Sequence, residues 1–195
     1  MSTSVRHLVF TALFAALFIV MSTLTIYVTA VPITLQNLAI MLAGGFLGAR
    51  YGFYSIGIVM ALTAAGLPLL HGQGGLSFIL GPTGGFLWMF PVCALLCGFF
   101  VSRILDQADN ISRAATVGWL FAVCMLFGSL ISYVTGVPWL AHFANLSLER
   151  ALAVGMYPFL PGDAVKALIA ALVLYAGRSH RPMLHRQVEQ PAHQV

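Results

Sequence analysis

Residues 8–28 read LVFTALFAALFIVMSTLTIYV, with no charged side chain anywhere in the stretch. A helix needs about 20 mostly apolar residues to cross the roughly 30 Å hydrocarbon core of a bilayer, and this stretch is long enough. It is too long for the apolar region of a signal peptide. No small-x-small cleavage site precedes the next apolar sequence, so it reads as a retained membrane span. The rest of the chain is of the same kind. Of its 195 residues 60% are apolar and 7% charged, and the mean hydropathy is +0.95. A soluble domain carries roughly 25% charged residues, and at this length one core could not hide so much apolar surface. A soluble enzyme, a DNA-binding domain and a disordered scaffold are excluded. The composition is that of an integral membrane protein.

Five further apolar runs follow, at about 35–49, 51–67, 85–105, 114–134 and 161–177. The expected fold is an all-α bundle of six transmembrane helices, one membrane domain over 1–178 with a polar cytoplasmic tail over 179–195. The second and third runs are short, divided by Arg50 and rich in glycine (Gly44, Gly45, Gly48, Gly52, Gly57). Small residues let membrane helices approach closely, so these two should pack tightly inside the bundle.

The net charge of +4 and the pI near 9.3 describe topology rather than a nucleic-acid surface. The basic residues are scattered, with no interleaved aromatics. With the N-terminus inside, Arg6, Arg50, Arg103, Arg113, Arg178, Arg181 and Arg186 fall on the inner side and only Arg150 on the outer. The positive-inside rule then gives N-in, C-in. The outer side receives 29–34, a long charge-free stretch at 68–84 that suits a lid, and a longer loop at 135–160. Long loops without structure of their own are usually functional. Trp139 in the last of these would serve as an interfacial anchor. Cys93, Cys97 and Cys124 all lie in apolar runs and read as small buried residues, with neither a disulfide framework nor a metal site.

The last span, FLPGDAVKALIAALVLYAGR, carries Asp163 and the only lysine of the chain, Lys166. Pro161 can open the helix, which puts Asp163 in the first turn and Lys166 on the same face. Counting from Arg178 at ~1.5 Å per residue, Lys166 stands ~18 Å into the membrane and Asp163 ~4.5 Å beyond it. Ionisable groups at that depth face an interior cavity and each other. They can serve as a structural ion pair, as a polar clamp on a ligand, or as part of a proton relay. Thr34 and Gln36 (VPITLQN) are the next polar residues at a span edge, open both to helix capping and to ligand contact. His71 and Gln73 lie in the long loop, where solvation is the simpler expectation. In the first span Ala12 and Ala16, with Ala15 beside them, form a small-xxx-small face for packing in this bundle or against a partner helix. The chain has no G-x-x-x-x-G-K-[ST] phosphate loop, so no ATP site of that class, and neither HExxH nor GxSxG.

Three segments taken together, VPITLQNLAIMLAGGFLGARYG (31–52), GLPLLHGQGGLSFILGPTGGFLWMFP (66–91) and PFLPGDAVKALIAAL (158–172), resemble the BioY family, the substrate-binding S components of energy-coupling factor (ECF) biotin transporters. The resemblance spans about 5–178 and is carried most specifically by LGPTGG and PGDxxK. It implies an S-component fold in the bacterial cytoplasmic membrane, with an outward-facing pocket that captures biotin. Delivery would run through a transmembrane T component driven by two ATPases in trans, with no cofactor and no nucleic acid involved. The resemblance places ligand contacts at Asp163, Lys166, Thr34 and Gln36, and in the loop at Gly81, Thr83 and Gly84. Gln73 and Ser77 are candidates for a polar loop contact. The Ala12-x-x-x-Ala16 spacing resembles the docking motif toward the T component. For biotin, Asp163 would accept from the ureido N–H groups and Lys166 would donate to the ureido oxygen. Phe86 and Tyr157 would form apolar wall. The competing readings are an S component for another vitamin, a small intramembrane enzyme using Asp163 or His71, and a purely structural subunit.

Overall fold

In hydrocarbon a backbone N–H or C=O finds no water, so every segment must satisfy its own hydrogen bonds, and helices do so locally. The computed structural model describes residues 3–26 and 33–180. Its elements are helices apart from one short hairpin: α1 (Thr3–Thr23), β1 (Thr25–Ile26), β2 (Ile33–Thr34), α2 (Gln36–Ala64), α3 (Leu76–Ile79), α4 (Gly84–Asp106), α5 (Arg113–Met125), a π-helical turn (Leu126–Leu130), α6 (Ile131–Phe143), α7 (Leu148–Gly155), α8 (Leu160–Ala176) and a closing 3-10 turn (Arg178–His180). Among the described residues four helical stretches are long and apolar enough to cross a membrane, or five if the bent pair α7–α8 counts as one. Large apolar side chains such as Leu8, Leu13, Val134 and Val165 face outward, as a lipid-facing surface requires. This is a multi-pass membrane protein.

α1 begins five residues before the expected span and ends at Thr23. There the chain turns extended, and Thr25 and Ile26 pair antiparallel with Thr34 and Ile33. The end of the expected span, residues 27 and 28, lies outside the described residues, as does the expected tail beyond residue 180.

The second and third runs form one 29-residue helical segment broken at Gly48, whose φ of 78° and ψ of 178° only glycine adopts readily. In a straight helix Gly44 and Gly52 would stand about 12 Å apart, yet a Cβ added to Gly52 would lie 2.8 Å from the Gly44 Cα. The two halves therefore fold back on each other at Gly48. A Cβ on Gly98 of α4 would stand 2.6 Å from the Ala49 nitrogen and 2.7 Å from the Gly44 oxygen. The glycines thus form a crossing where α4 meets the turn of α2 with backbone against backbone.

The loop expected over 135–160 is mostly helix, a correction. α5, the π turn and α6 run unbroken from Arg113 to Phe143, and α7 occupies 148–155. Nothing polar halts the helix at residue 135, and Pro138 is carried inside it, as membrane helices tolerate. Trp139 is half-buried within this helix. Its Nε1 donates to the Gly81 oxygen at 2.8 Å, and its ring meets Trp88 edge-on at 4.3 Å. The 68–84 stretch holds a turn bridged by Leu70 and Gln73 and the short α3, with Leu70 and Ile79 buried. Cys93, Cys97 and Cys124 are buried free thiols, with Cys97 Sγ and Cys124 Sγ 4.0 Å apart.

The β1–β2 pair and the connections 65–83 and 144–159 gather at one end of the bundle. At the other end lie the start of α1, the Gly48 turn, the α4–α5 link and the end of α8. His7 stacks on Tyr51 there at 4.4 Å, and Arg113 and Arg178 both lie over the Tyr175 ring.

Candidate functional site

α8 opens with Leu160 and Pro161, which needs no N–H partner in a first turn. Asp163 then sits where the helix dipole favours an acid. Its carboxylate is 1% exposed, and its Oδ1 pairs with Lys166 Nζ at 2.6 Å. Lys166 Nζ also donates to the Thr34 backbone oxygen at 3.1 Å, which ties α8 to the β2 strand. An ammonium has three donors, so one remains for something else. Beyond its ion pair, Asp163 Oδ1 has no hydrogen bond among the described residues.

The second carboxylate oxygen is held by Tyr133, a residue that sequence reasoning missed. Its hydroxyl donates to Asp163 Oδ2 at 2.6 Å. Between other apolar residues a tyrosine gives no sequence signal beyond being aromatic. The π turn at 126–130 leads directly into its helix and presents Gly128 to the Met41 side chain and Ser129 to Asn37, whose Nδ2 donates to Ser129 Oγ at 3.0 Å. Such turns, with their extra residue, shift the side chains that follow around the helix axis.

Thr34 and Gln36 meet each other at the start of α2. Thr34 Oγ1 accepts from the Gln36 N–H at 3.3 Å and donates to Gln36 Oε1 at 3.1 Å. The helix cap itself falls on Leu35, without a side-chain bond, so Thr34 acts from one residue before it. Gln36 is 3% exposed and its Nε2 has no partner among the described residues. A buried donor left empty is unfavourable by about 1–3 kcal/mol unless something fills it.

The LGPTGG segment is fixed against α6. Thr135 Oγ1 donates to the Gly85 oxygen at 2.7 Å, and Gly81 receives Trp139. Cβ atoms at Gly84 and Gly85 would strike the Ile79 backbone and the Trp139 side chain, so both glycines serve close approach. Phe86 lies over Gly136 and meets Tyr133 edge-on at 5.9 Å.

These elements enclose a partly open cavity with about 540 Å³ of empty space, its mouth included. Of the residues singled out from sequence, Asp163, Lys166, Thr34, Gln36, Thr83 and Phe86 line it. Gly81 and Gly84 lie behind the wall as packing positions. Tyr157, Gln73 and Ser77 are exposed and stand outside it. Phe159, two residues after Tyr157, supplies the apolar surface instead, together with Leu87 and Phe90. Asn37, Ser132, Tyr133, Gly155 and His71 complete the wall. His71 departs from the solvated position expected for it. Around the ion pair, the polar capacity left over is a Lys166 N–H, the Gln36 amide N–H groups and spare lone pairs on Asp163. A ligand that suits them carries donors and an acceptor close together on an apolar body. On α1, Ala12 and Ala16 are exposed and Ala15 is half-buried against the core.

The BioY family profile matches residues 1–183. The biotin transporter BioY of Rhizobium etli is 39% identical, covering 93% of this chain and 97% of that protein. The biotin transporter BioY of Rhodobacter capsulatus is 37% identical over 91% of this chain and 95% of its own length. Among solved structures, the S-component for biotin from an ECF-type ABC transporter matches with a TM-score of 0.78 and 32% identity, over 90% of this chain and 92% of that one. A match along nearly the whole length, in sequence and in three dimensions, places this chain in the BioY family.

Proposed function

We propose that this chain is the biotin-binding S component of an ECF-type transporter, capturing biotin in the cavity above and delivering it across the bacterial cytoplasmic membrane. The observation that carries the reading is the pairing of Asp163 and Lys166, with the unpartnered Gln36 Nε2, in the wall of a cavity whose apolar surface comes from Phe86, Leu87, Phe90 and Phe159. A cyclic urea has two N–H donors flanking one carbonyl. Asp163 accepts the former, while Lys166 and Gln36 donate to the latter. Phe86, Leu87, Phe90 and Phe159 hold the thioether ring and chain. The names of the relatives and of the structural neighbour support the choice of ligand.

The same reading takes 1–178 as one domain of six spans: α1, the two halves of α2, α4, α5–α6 and α8. Arg6, Arg50, Arg103, Arg113 and Arg178 all belong to the end opposite the cavity. That distribution supports N-in, C-in, with the cavity facing outward. Energy comes from a T component and ATPases in trans, and the exposed Ala12 and Ala16, with Ala15, are the docking face.

Titration of biotin into the detergent-solubilised protein tests the reading. The wild-type chain binds biotin, and Asp163→Asn weakens binding at least about tenfold, or 1.4 kcal/mol. Thermal unfolding checks that the variant is folded. Unchanged affinity in a folded variant removes the pair from the site.

A further inference from the structure

His71 is an ionisable ring in the cavity wall to which the scheme above gives no task. It stands in the turn bridged by Leu70 and Gln73, with a φ of +54°, a left-handed conformation uncommon for any residue but glycine. The turn is tied to the end of α1. The His71 N–H lies 3.4 Å from Ser22 Oγ, and its ring Nδ1 lies 3.0 Å from Thr25 Oγ1.

The direction of the Thr25 bond follows from counting protons. The Thr25 hydroxyl has a single hydrogen and donates it to the Ser22 oxygen at 2.7 Å. Its oxygen therefore accepts from His71, and Nδ1 carries the ring hydrogen. In the neutral imidazole Nε2 then holds the lone pair, and no described residue hydrogen-bonds it.

The charge balance of the cavity gives that nitrogen a use. Asp163 and Lys166 sum to zero wherever the proton between them resides, and Tyr133 is neutral. The groups that meet His71 from α1, β1 and α3, namely Ser22, Thr25 and Phe78, carry no charge. A ligand bearing a carboxylate would bring an uncompensated negative charge into this wall, which a desolvated setting strongly disfavours.

We propose that His71 is the counter-ion for the ligand carboxylate: held by Thr25 at Nδ1, the ring takes a proton from solvent at Nε2 as the anion enters and donates it to the anion as a hydrogen bond. Ligand capture is therefore coupled to proton uptake. Burial keeps the ring less ready to protonate than a free histidine, against a smaller opposite pull from the Ser22 backbone. The ring is thus neutral before the anion arrives. This inference rests on the biotin reading and adds an orientation to it, with the ureido ring at Asp163–Lys166 and the valerate chain toward the 68–84 loop.

Calorimetric titration of biotin in buffers of low and high ionisation enthalpy counts the protons taken up. The wild-type protein should take up a fraction of a proton per biotin that grows as pH falls from about 8 to 6.5, with affinity rising by up to about tenfold per pH unit. His71→Gln should bind biotin more weakly and take up none. The uncharged biotinamide should bind the wild-type protein without proton uptake, a comparison that needs no variant. Biotin binding without proton uptake overturns the inference and leaves the ligand reading standing. Equal uptake by His71→Gln, or with biotinamide, also overturns it. Failure of biotin to bind the wild-type protein overturns both.

Discussion

At the scale of single residues, Asp163 can stay in an apolar interior because two donors reach it: Lys166 at 2.6 Å on Oδ1 and Tyr133 at 2.6 Å on Oδ2. Hydrogen bonds to charged groups contribute about 1.5–3 kcal/mol, and a buried acceptor stripped of its donor loses more than the bond itself. Tyr133→Phe removes one hydroxyl and keeps the ring over Phe86. It should lower stability by about 1.5–3 kcal/mol in denaturant unfolding in detergent, and weaken biotin binding in the same preparation. Wild-type stability in that variant would mean Lys166 alone satisfies the carboxylate. The acid and the amine are legible in sequence because a charge in an apolar run needs a partner or a cavity to offset its cost. Tyr133 is not, because its hydroxyl gains meaning only from what stands 30 residues away.

At the scale of elements, glycine placement decides how closely helices meet. Gly98 faces the backbone of Gly44, Gly48 and Ala49, none of which can swing aside as a side chain could. Gly98→Ala should therefore destabilise by about 1–3 kcal/mol. Gly118, on α5, has nothing within 4 Å of an added Cβ, so Gly118→Ala should stabilise by about 0.5–1 kcal/mol through helix propensity alone. Thermal unfolding of the two variants side by side gives opposite signs if the crossing at Gly98 is as drawn. The glycine-rich character of residues 44–57 announces close packing, but not its partner. The π turn at 126–130 has no sequence signature. It arises where Met41 and Asn37 of α2 meet that helix, a contact between residues far apart in the chain.

At the scale of the molecule, the cavity and the exposed alanine face of α1 are separate surfaces, so capture and docking should be separable. Ala12→Trp fills the groove that a close-packed partner helix would need. It should leave biotin affinity of the purified chain unchanged while lowering biotin uptake by cells that supply the T component and ATPases. A reduction of about tenfold corresponds to 1.4 kcal/mol of lost association. Uptake at the wild-type level would move the docking face elsewhere.

Residue chemistry read along the chain was enough to establish a membrane protein, the acid–amine pair in its last helix and the bounds of α4 and α8 to within a residue. Hydrocarbon imposes helices of a set length and penalises every stray charge, so these properties are written locally. Only the tertiary structure decided that residues 135–143 continue a helix, that Tyr133 and His71 join the cavity while Tyr157, Gln73 and Ser77 stand outside it, and that α2 doubles back at Gly48. Each depends on which distant side chains come to share one small volume, and no local pattern of hydropathy contains that information.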